Sequence, residues 1–315
     1  MIGWILGILG GALLVLAILA PLESLGWWWR RGERSTIRLF AAPQQPAVDH
    51  ALPERFVVYL SGVGVLDGHG DTPEEERACL AEISRRAGVP VLDGIFPYAV
   101  HRHGLLQGTM AGFWRAVARI RSERRASVLP FVIQLRNVLQ VLVAADPRYG
   151  ATYYAGLAQQ VWTKLAAHGY RRGCGVPVTL LGYSGGAQMS LGVSWFLTLL
   201  GVRCSVISIG GVYSDDPGFE HVEHFWDLRG GKDVIRLAGP LAFPGRWGVN
   251  VASTWNRARR AGRVTILDAG PVAHDGPGSY FDLTTQAADG RTHAEVLVAT
   301  VVGLLEDASR VAPRG

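Results

Sequence analysis

Apolar positions along this chain fall into short β-branched runs that alternate with longer segments of helical period. Phe56–Leu60, Val89–Ile95, Val178–Leu181, Cys204–Ile209, His224–Leu228 and Val264–Leu267 are four to seven residues each and largely apolar, as strands buried on both faces are. Between and after them, Thr72–Ala87, Met110–Arg125, Leu129–Ala145, Tyr153–His168, Ala187–Leu200, Val251–Ala261 and Thr292–Leu305 carry the pattern of helices. Thr72, Pro73 and Glu75 predict a capping box at the start of one helix, with Gly88 ending it. Pro130 suits a helix start, and Asp146-Pro147 reads as a stop. Alternation of this kind predicts an α/β fold, a mostly parallel sheet with helices on both faces. In such sheets active sites lie at the carboxyl ends of strands, so the residues just after each strand carry the functional question.

One apolar run does not belong to this alternation. Ile2–Ala20 contains no charged residue and, as a helix of nineteen residues, would be about 28 Å long, close to the hydrocarbon thickness of a bilayer. Pro21 and Glu23 end it, Trp27, Trp28 and Trp29 follow where an interfacial aromatic belt would sit, and Arg30, Arg31, Arg34 and Arg38 come next. A signal peptide would place its basic residues ahead of the apolar run. The expectation is one N-terminal transmembrane helix over residues 1–22, with the main domain on the cytoplasmic, Arg-rich side. Gly3, Gly7 and Gly11 share one face of that helix, a spacing that permits a helix-mediated dimer. Residues 23–54, broken by Pro43, Pro46 and Pro53, form a juxtamembrane linker, and residues 55–306 form one domain with a helical insertion at about 97–175.

Composition narrows the function classes. The 315 residues carry a formal net charge of +5, almost wholly from Arg, since Lys occurs only at 164 and 232. The densest cluster, Arg115, Arg119, Arg121, Arg124 and Arg125, lacks interleaved stacking aromatics and any nucleic-acid motif, so no nucleic-acid partner is expected. Three cysteines without a CxxC pair fit a reducing compartment. Gly62-x-Gly64 lacks the helix that a dinucleotide loop requires, and Gly231-Lys232 lacks the frame of a phosphate loop. His221-Val-Glu-His224 is one residue short of a zinc motif, and His101-Arg-His103 has no second ligand cluster, so no metal site and no cofactor are expected.

The chemistry lies in Gly182-Tyr183-Ser184-Gly185-Gly186, between a strand and a helix. A sharp turn there holds Ser184 in a strained conformation, which requires small neighbours two residues away. It lifts the hydroxyl above the sheet and aims the Gly185 N–H at a substrate oxygen. A serine hydroxyl needs a base. His274, in the loop after Val264–Leu267, is the candidate, and Asp233, after the strand at 224–228, is the acid that would orient it. Asp233 could instead cap a helix before Val234, and Asp215, Asp216, Asp227 and Asp268 are alternative acids.

Together these residues resemble the α/β-hydrolase superfamily, whose chain order is nucleophile, acid, histidine. The resemblance spans roughly residues 55–306 and implies a serine hydrolase of esterase or lipase type working through an acyl-enzyme. It also implies a second oxyanion donor in the loop after the first strand, at Gly62 or Val63, where this chain has Ser-Gly in place of the His-Gly of many members. The family's usual cap position holds only Gly210–Val222, so residues Met110–Ala145 become the candidate cover over the site. The expected partner is a small-molecule ester, lipophilic if the anchor holds the domain at a bilayer. An acyltransferase on the same triad, or a non-catalytic binding or scaffolding protein on the same fold, are the alternative functions.

Overall fold

A computed structural model of the chain describes Gly11 and residues 52–62, 72–95 and 141–311. The expected anchor (apart from Gly11), most of the linker, Val63, Met110–Arg125 and His101-Arg-His103 lie outside the described residues. Among the described residues six strands pair in parallel: β1 (Phe56–Leu60), β2 (Val91–Ile95), β3 (Val178–Tyr183), β4 (Cys204–Ile209), β5 (Phe225–Arg229) and β6 (Val264–Asp268). Their spatial order is β2-β1-β3-β4-β5-β6. The chain first moves outward from β1 to β2, then crosses back to β3 on the other side. This reversal places a crevice between the carboxyl ends of β1 and β3.

The burial of each strand follows its place in that order. β1, β3 and β4 are buried at every residue, which is why they read as unbroken apolar runs, whereas the edge strands β2 and β6 are only partly covered. Successive side chains point to opposite faces. Phe56, Val58, Leu180 and Val206 pack under the helices α2 (Pro147–Ala167), α3 (Gly186–Leu199) and α5 (Thr254–Arg260). Val57, Tyr59, Leu181 and Ile207 pack under α1 (Glu74–Ala87) and α6 (His293–Val311). A short helix, α4 (Ala238–Ala242), follows β5. The α3 sequence is apolar nearly all round because it is buried nearly all round, including Gln188, Ser190 and Ser194.

A cap and a helix start differ from expectation. The capping box at Thr72 does not form: α1 begins at Glu74 behind Pro73 with no side-chain cap, and the Thr72 hydroxyl instead reaches Asp93 at 3.4 Å. Asp146-Pro147 does end a helix, as expected, but the next helix opens at once, at Pro147 and not at Tyr153. Residues 141–145 are helical, and α2 opens at Pro147, where the fixed φ and missing N–H of proline are no handicap. From there α2 runs 21 residues and is the crossover that returns the chain to β3.

Candidate active site

Ser184 is, among the described residues, the only non-glycine with positive φ, at 53°. L-residues avoid that region, and a serine held there marks a turn fixed by its surroundings. Those surroundings are the two outer glycines of the pentapeptide. A Cβ on Gly182 would come within 2.7 Å of the Ala187 backbone, and one on Gly186 within 2.2 Å of the Leu60 carbonyl oxygen. The strand-to-helix turn therefore closes only with glycine at both positions. Backbone bonds complete it: the Ser184 N–H donates to Ile209 O at 3.0 Å, and Ala187 and Val212 N–H donate to the Ser184 carbonyl.

Above this turn three loops meet. His274 Nε2 lies 2.9 Å from Ser184 Oγ, and His274 Nδ1 lies 2.9 Å from Asp233 Oδ2. One tautomer satisfies both contacts, with Nδ1–H donating to the carboxylate and Nε2 accepting the serine proton. All three residues are buried, with Ser184, Asp233 and His274 at 6%, 2% and 8% exposure. Asp233 also accepts from the Tyr280 hydroxyl at 2.9 Å and the Arg236 N–H at 3.2 Å. Burial alone would raise its proton affinity. The bond to and charge of His274, with the Tyr280 and Arg236 donors, more than reverse this, and the carboxyl lies below its ordinary value. One Asp233 oxygen thus accepts from the Arg236 N–H, and the other lies within hydrogen-bond distance of His274 Nδ1.

The alternative acids are engaged elsewhere. Asp227 accepts from Ser208, Tyr213 and Arg229 inside the sheet. Asp216 accepts from Tyr154, Gln188 and the Gly218 N–H. Asp268 accepts from the Gly270 N–H on the surface, and Asp215 packs over the bare Cα of Gly245. None of these bonds reaches His274.

Gly185 follows the serine directly and is the N-cap of α3. Gly62 presses against the same point, since a Cβ there would lie 3.0 Å from Ser184 Cβ and 2.9 Å from the Tyr183 ring. Both backbones are thus beside the serine, on the two sides of the β1–β3 crevice. Val63 lies outside the described residues. Among those described, no group of three or more His, Cys, Asp or Glu side chains is placed to hold a metal ion. A cavity of about 830 Å³ opens beside α2 and α3, lined by Leu142, Tyr154, Trp195 and Phe243 with Asp215 and Asp216, and Ser184, Asp233 and His274 are not on its wall.

Two tyrosines were not singled out by sequence reasoning. Tyr183 stacks on the His274 ring, centroids 5.2 Å apart and planes 23° apart, and its hydroxyl contacts the His274 carbonyl and an Asp275 carboxylate oxygen. Tyr280 holds Asp233 from the other side. Tyr183 carried a signal, as the residue ahead of the nucleophile in the motif. Tyr280 carried none, because a tyrosine six residues past a histidine becomes meaningful only when the loop is seen to fold back.

No family model matches the chain, and no curated protein matches its sequence. Solved structures similar to it include the HSL-homolog EstE7 from a metagenome library, at 9% identity and a TM-score of 0.41 over 92% of this chain and 98% of that one. An arylesterase structure is similar at 10% identity and a TM-score of 0.42 over 91% and 97%. A hormone-sensitive lipase from a metagenome library is similar at 8% and 0.38 over 91% and 98%. At these values the neighbours do not define the chemistry. The parallel sheet, the serine turn and the acid and histidine loops of this chain resemble an α/β-hydrolase on their own geometry.

Proposed function

We propose that this protein is a serine hydrolase that cleaves an ester-type substrate through an acyl-enzyme on Ser184. The observation that carries this is the unbroken bond path Ser184 Oγ–His274–Asp233, with the serine held at positive φ at the head of α3. His274 Nε2 takes the hydroxyl proton as Oγ attacks the carbonyl carbon, and the carbonyl oxygen becomes an oxyanion. The Gly185 N–H and the backbone at Gly62 or Val63 are the proposed donors to it, and such donors contribute roughly 3–4 kcal/mol each. His274 then gives the proton to the departing alcohol. Water attacks the acyl-enzyme by the same path in reverse, and Ser184 recovers its proton. Asp233 stays ionised and holds the imidazole in its working tautomer.

A panel of p-nitrophenyl esters of increasing acyl length tests the reading. Turnover is expected with the full chain, and Ser184→Ala is expected to lower kcat roughly 10⁴-fold or more. Equal turnover in the variant would overturn the assignment.

Membrane attachment is part of the proposal and rests on the sequence of residues 1–22 and the arginines after them. Among the described residues no helix is long and apolar enough to cross a membrane. Deleting residues 1–22 is expected to move the protein from the membrane to the soluble fraction of lysed cells, and an unchanged distribution would remove the anchor from the account.

A further inference from the structure

Tyr280 is 1% exposed, and its hydroxyl is used twice. It accepts from the Gly230 N–H at 2.6 Å and donates to Asp233 Oδ2 at 2.9 Å. That carboxylate oxygen is also the one that receives His274 Nδ1. One phenol therefore ties the loop after β5 to the loop after β6 and shares an acceptor with the imidazole. The space for this junction is left by Gly210, at φ 53°, where a Cβ would lie 2.6 Å from Asp233 Oδ2 and 2.8 Å from the Tyr280 ring. Tyr183 meets Tyr280 edge to face at 6.4 Å and stacks on the opposite part of the same histidine loop.

We infer that Tyr280 is a positioning residue that, by sharing one oxygen of Asp233 with His274, sets how strongly that carboxylate holds the imidazole, while Tyr183 fixes the plane of the ring. The inference rests on the proposed hydrolase reading and deepens it. A carboxylate that receives two donors shares its charge between them, so each bond is weaker than it would be alone. Removing the phenol proton concentrates the charge of Asp233 on Nδ1–H. The imidazolium then becomes more stable, and His274 holds its proton to higher pH. Other groups face the junction too. The Arg236 N–H is on Asp233 Oδ1, and the Arg236 guanidinium is on the Gly230 carbonyl. Asp275 is on Tyr183. Glu76 acts on Asp275 and Tyr183 through space, and Asp227 acts on Tyr280. A change confined to the phenol removes its two bonds, to Asp233 and from the Gly230 N–H, and the action of Asp227 on it, and leaves the Arg236, Asp275 and Glu76 side chains in place.

The test is the pH dependence of inactivation by a fluorophosphonate, which needs no knowledge of the natural ester, together with ¹⁵N-histidine NMR of the His274 ring. In Tyr280→Phe the acid limb of the inactivation rate and the His274 titration are both expected to move up by about one pH unit, a tenfold loss of rate on that limb. Replacing Tyr280 by 3-fluorotyrosine keeps the packing and strengthens the donor, so the shift is expected in the opposite direction. This second variant serves if the phenylalanine protein does not fold. Inactivation by the phosphonate with no movement of the limb or the His274 titration in either variant would overturn the role of Tyr280. Absence of any Ser184 adduct in the parent protein would instead overturn the hydrolase reading, and the NMR titration would still report the coupling.

Discussion

Asp216 and Asp233 are buried carboxylates in the loops that follow neighbouring strands, β4 and β5, and their environments drive them in opposite directions. Burial pushes Asp216 up to about 6, against the Gly218 N–H, Tyr154 and Gln188 bonds it accepts, and the charge of Asp215 adds to the rise. Burial also acts upward on Asp233, but a group able to become a cation, His274, sits on it, and the balance reverses. The two sites accept similar numbers of bonds. What separates them is that burial weighs more heavily on Asp216, whose donors are all neutral, whereas on Asp233 it is outweighed by the bond to and charge of His274. Glu76 falls on the Asp216 side of this divide. Burial raises it to about 7, opposed by the Tyr59 hydroxyl and assisted by the charges of Asp275 and Glu75.

The largest effect expected from this contrast is on turnover. Asp233→Asn places an amide where His274 needs an acceptor for Nδ1–H, and kcat is expected to fall ~10³–10⁴-fold. Asp216→Ala, measured on the folded fraction in the same ester assay, is expected to leave kcat unchanged. Equal losses in the two variants would erase the distinction between the carboxylates.

Stability provides the next test, and its sign differs between the two classes. Asp216 and Glu76 have raised folded values, so the stability linked to their protonated forms is fully present below about 3.8 and 4.5 and is lost as pH rises through about 6 and about 7. Asp233 is lowered, so its contribution is present above about 3.8 and is lost as pH falls below that value. Glu76→Gln keeps an oxygen for the Tyr59 hydroxyl and removes the charge. It is expected to be more stable than the parent at pH 8 by about 2–3 kcal/mol and equal to it near pH 4.5, read from denaturant unfolding at the two pH values. A penalty for the variant at pH 8 would show that Glu76 is held ionised by something other than Tyr59. A smaller but more direct observable is the titration itself. In ¹³C-carboxyl aspartate NMR, one buried resonance is expected to titrate near 6 and vanish in Asp216→Ala, while that of Asp233 stays ionised to below 3.8.

Much of this arrangement was legible in the residue order. Strands buried on both faces, such as Phe56–Leu60 and Cys204–Ile209, announce themselves as apolar runs, and the structure keeps those two boundaries unchanged. Gly182 and Gly186 announce the serine turn because backbone crowding leaves no alternative at either position. The order Ser184, Asp233, His274 was readable once strand ends were the place to look, and it put Asp233 ahead of Asp227, which lies inside a strand. Asp227 is also unsuitable because Ser208, Tyr213 and Arg229 converge on it from three different segments, a fact of packing. The illegible parts share that cause. Thr72 and Glu75 have the spacing of a capping box, yet Asp93 on β2 competes for the threonine hydroxyl. Pro147 ends one helix and begins the next, and a proline alone does not say which. Tyr280 acts through a hydroxyl brought back to Asp233 by the fold of residues 274–280, which no local period encodes.

The central claim is that Ser184 is the nucleophile and that His274 activates it. The most direct measurement is to treat the full chain with a fluorophosphonate and locate the adduct by mass spectrometry of its peptides. The account predicts one adduct, on the peptide containing Ser184, absent in Ser184→Ala and formed far more slowly in His274→Ala. An adduct on any other serine, or one that persists in Ser184→Ala, would contradict it.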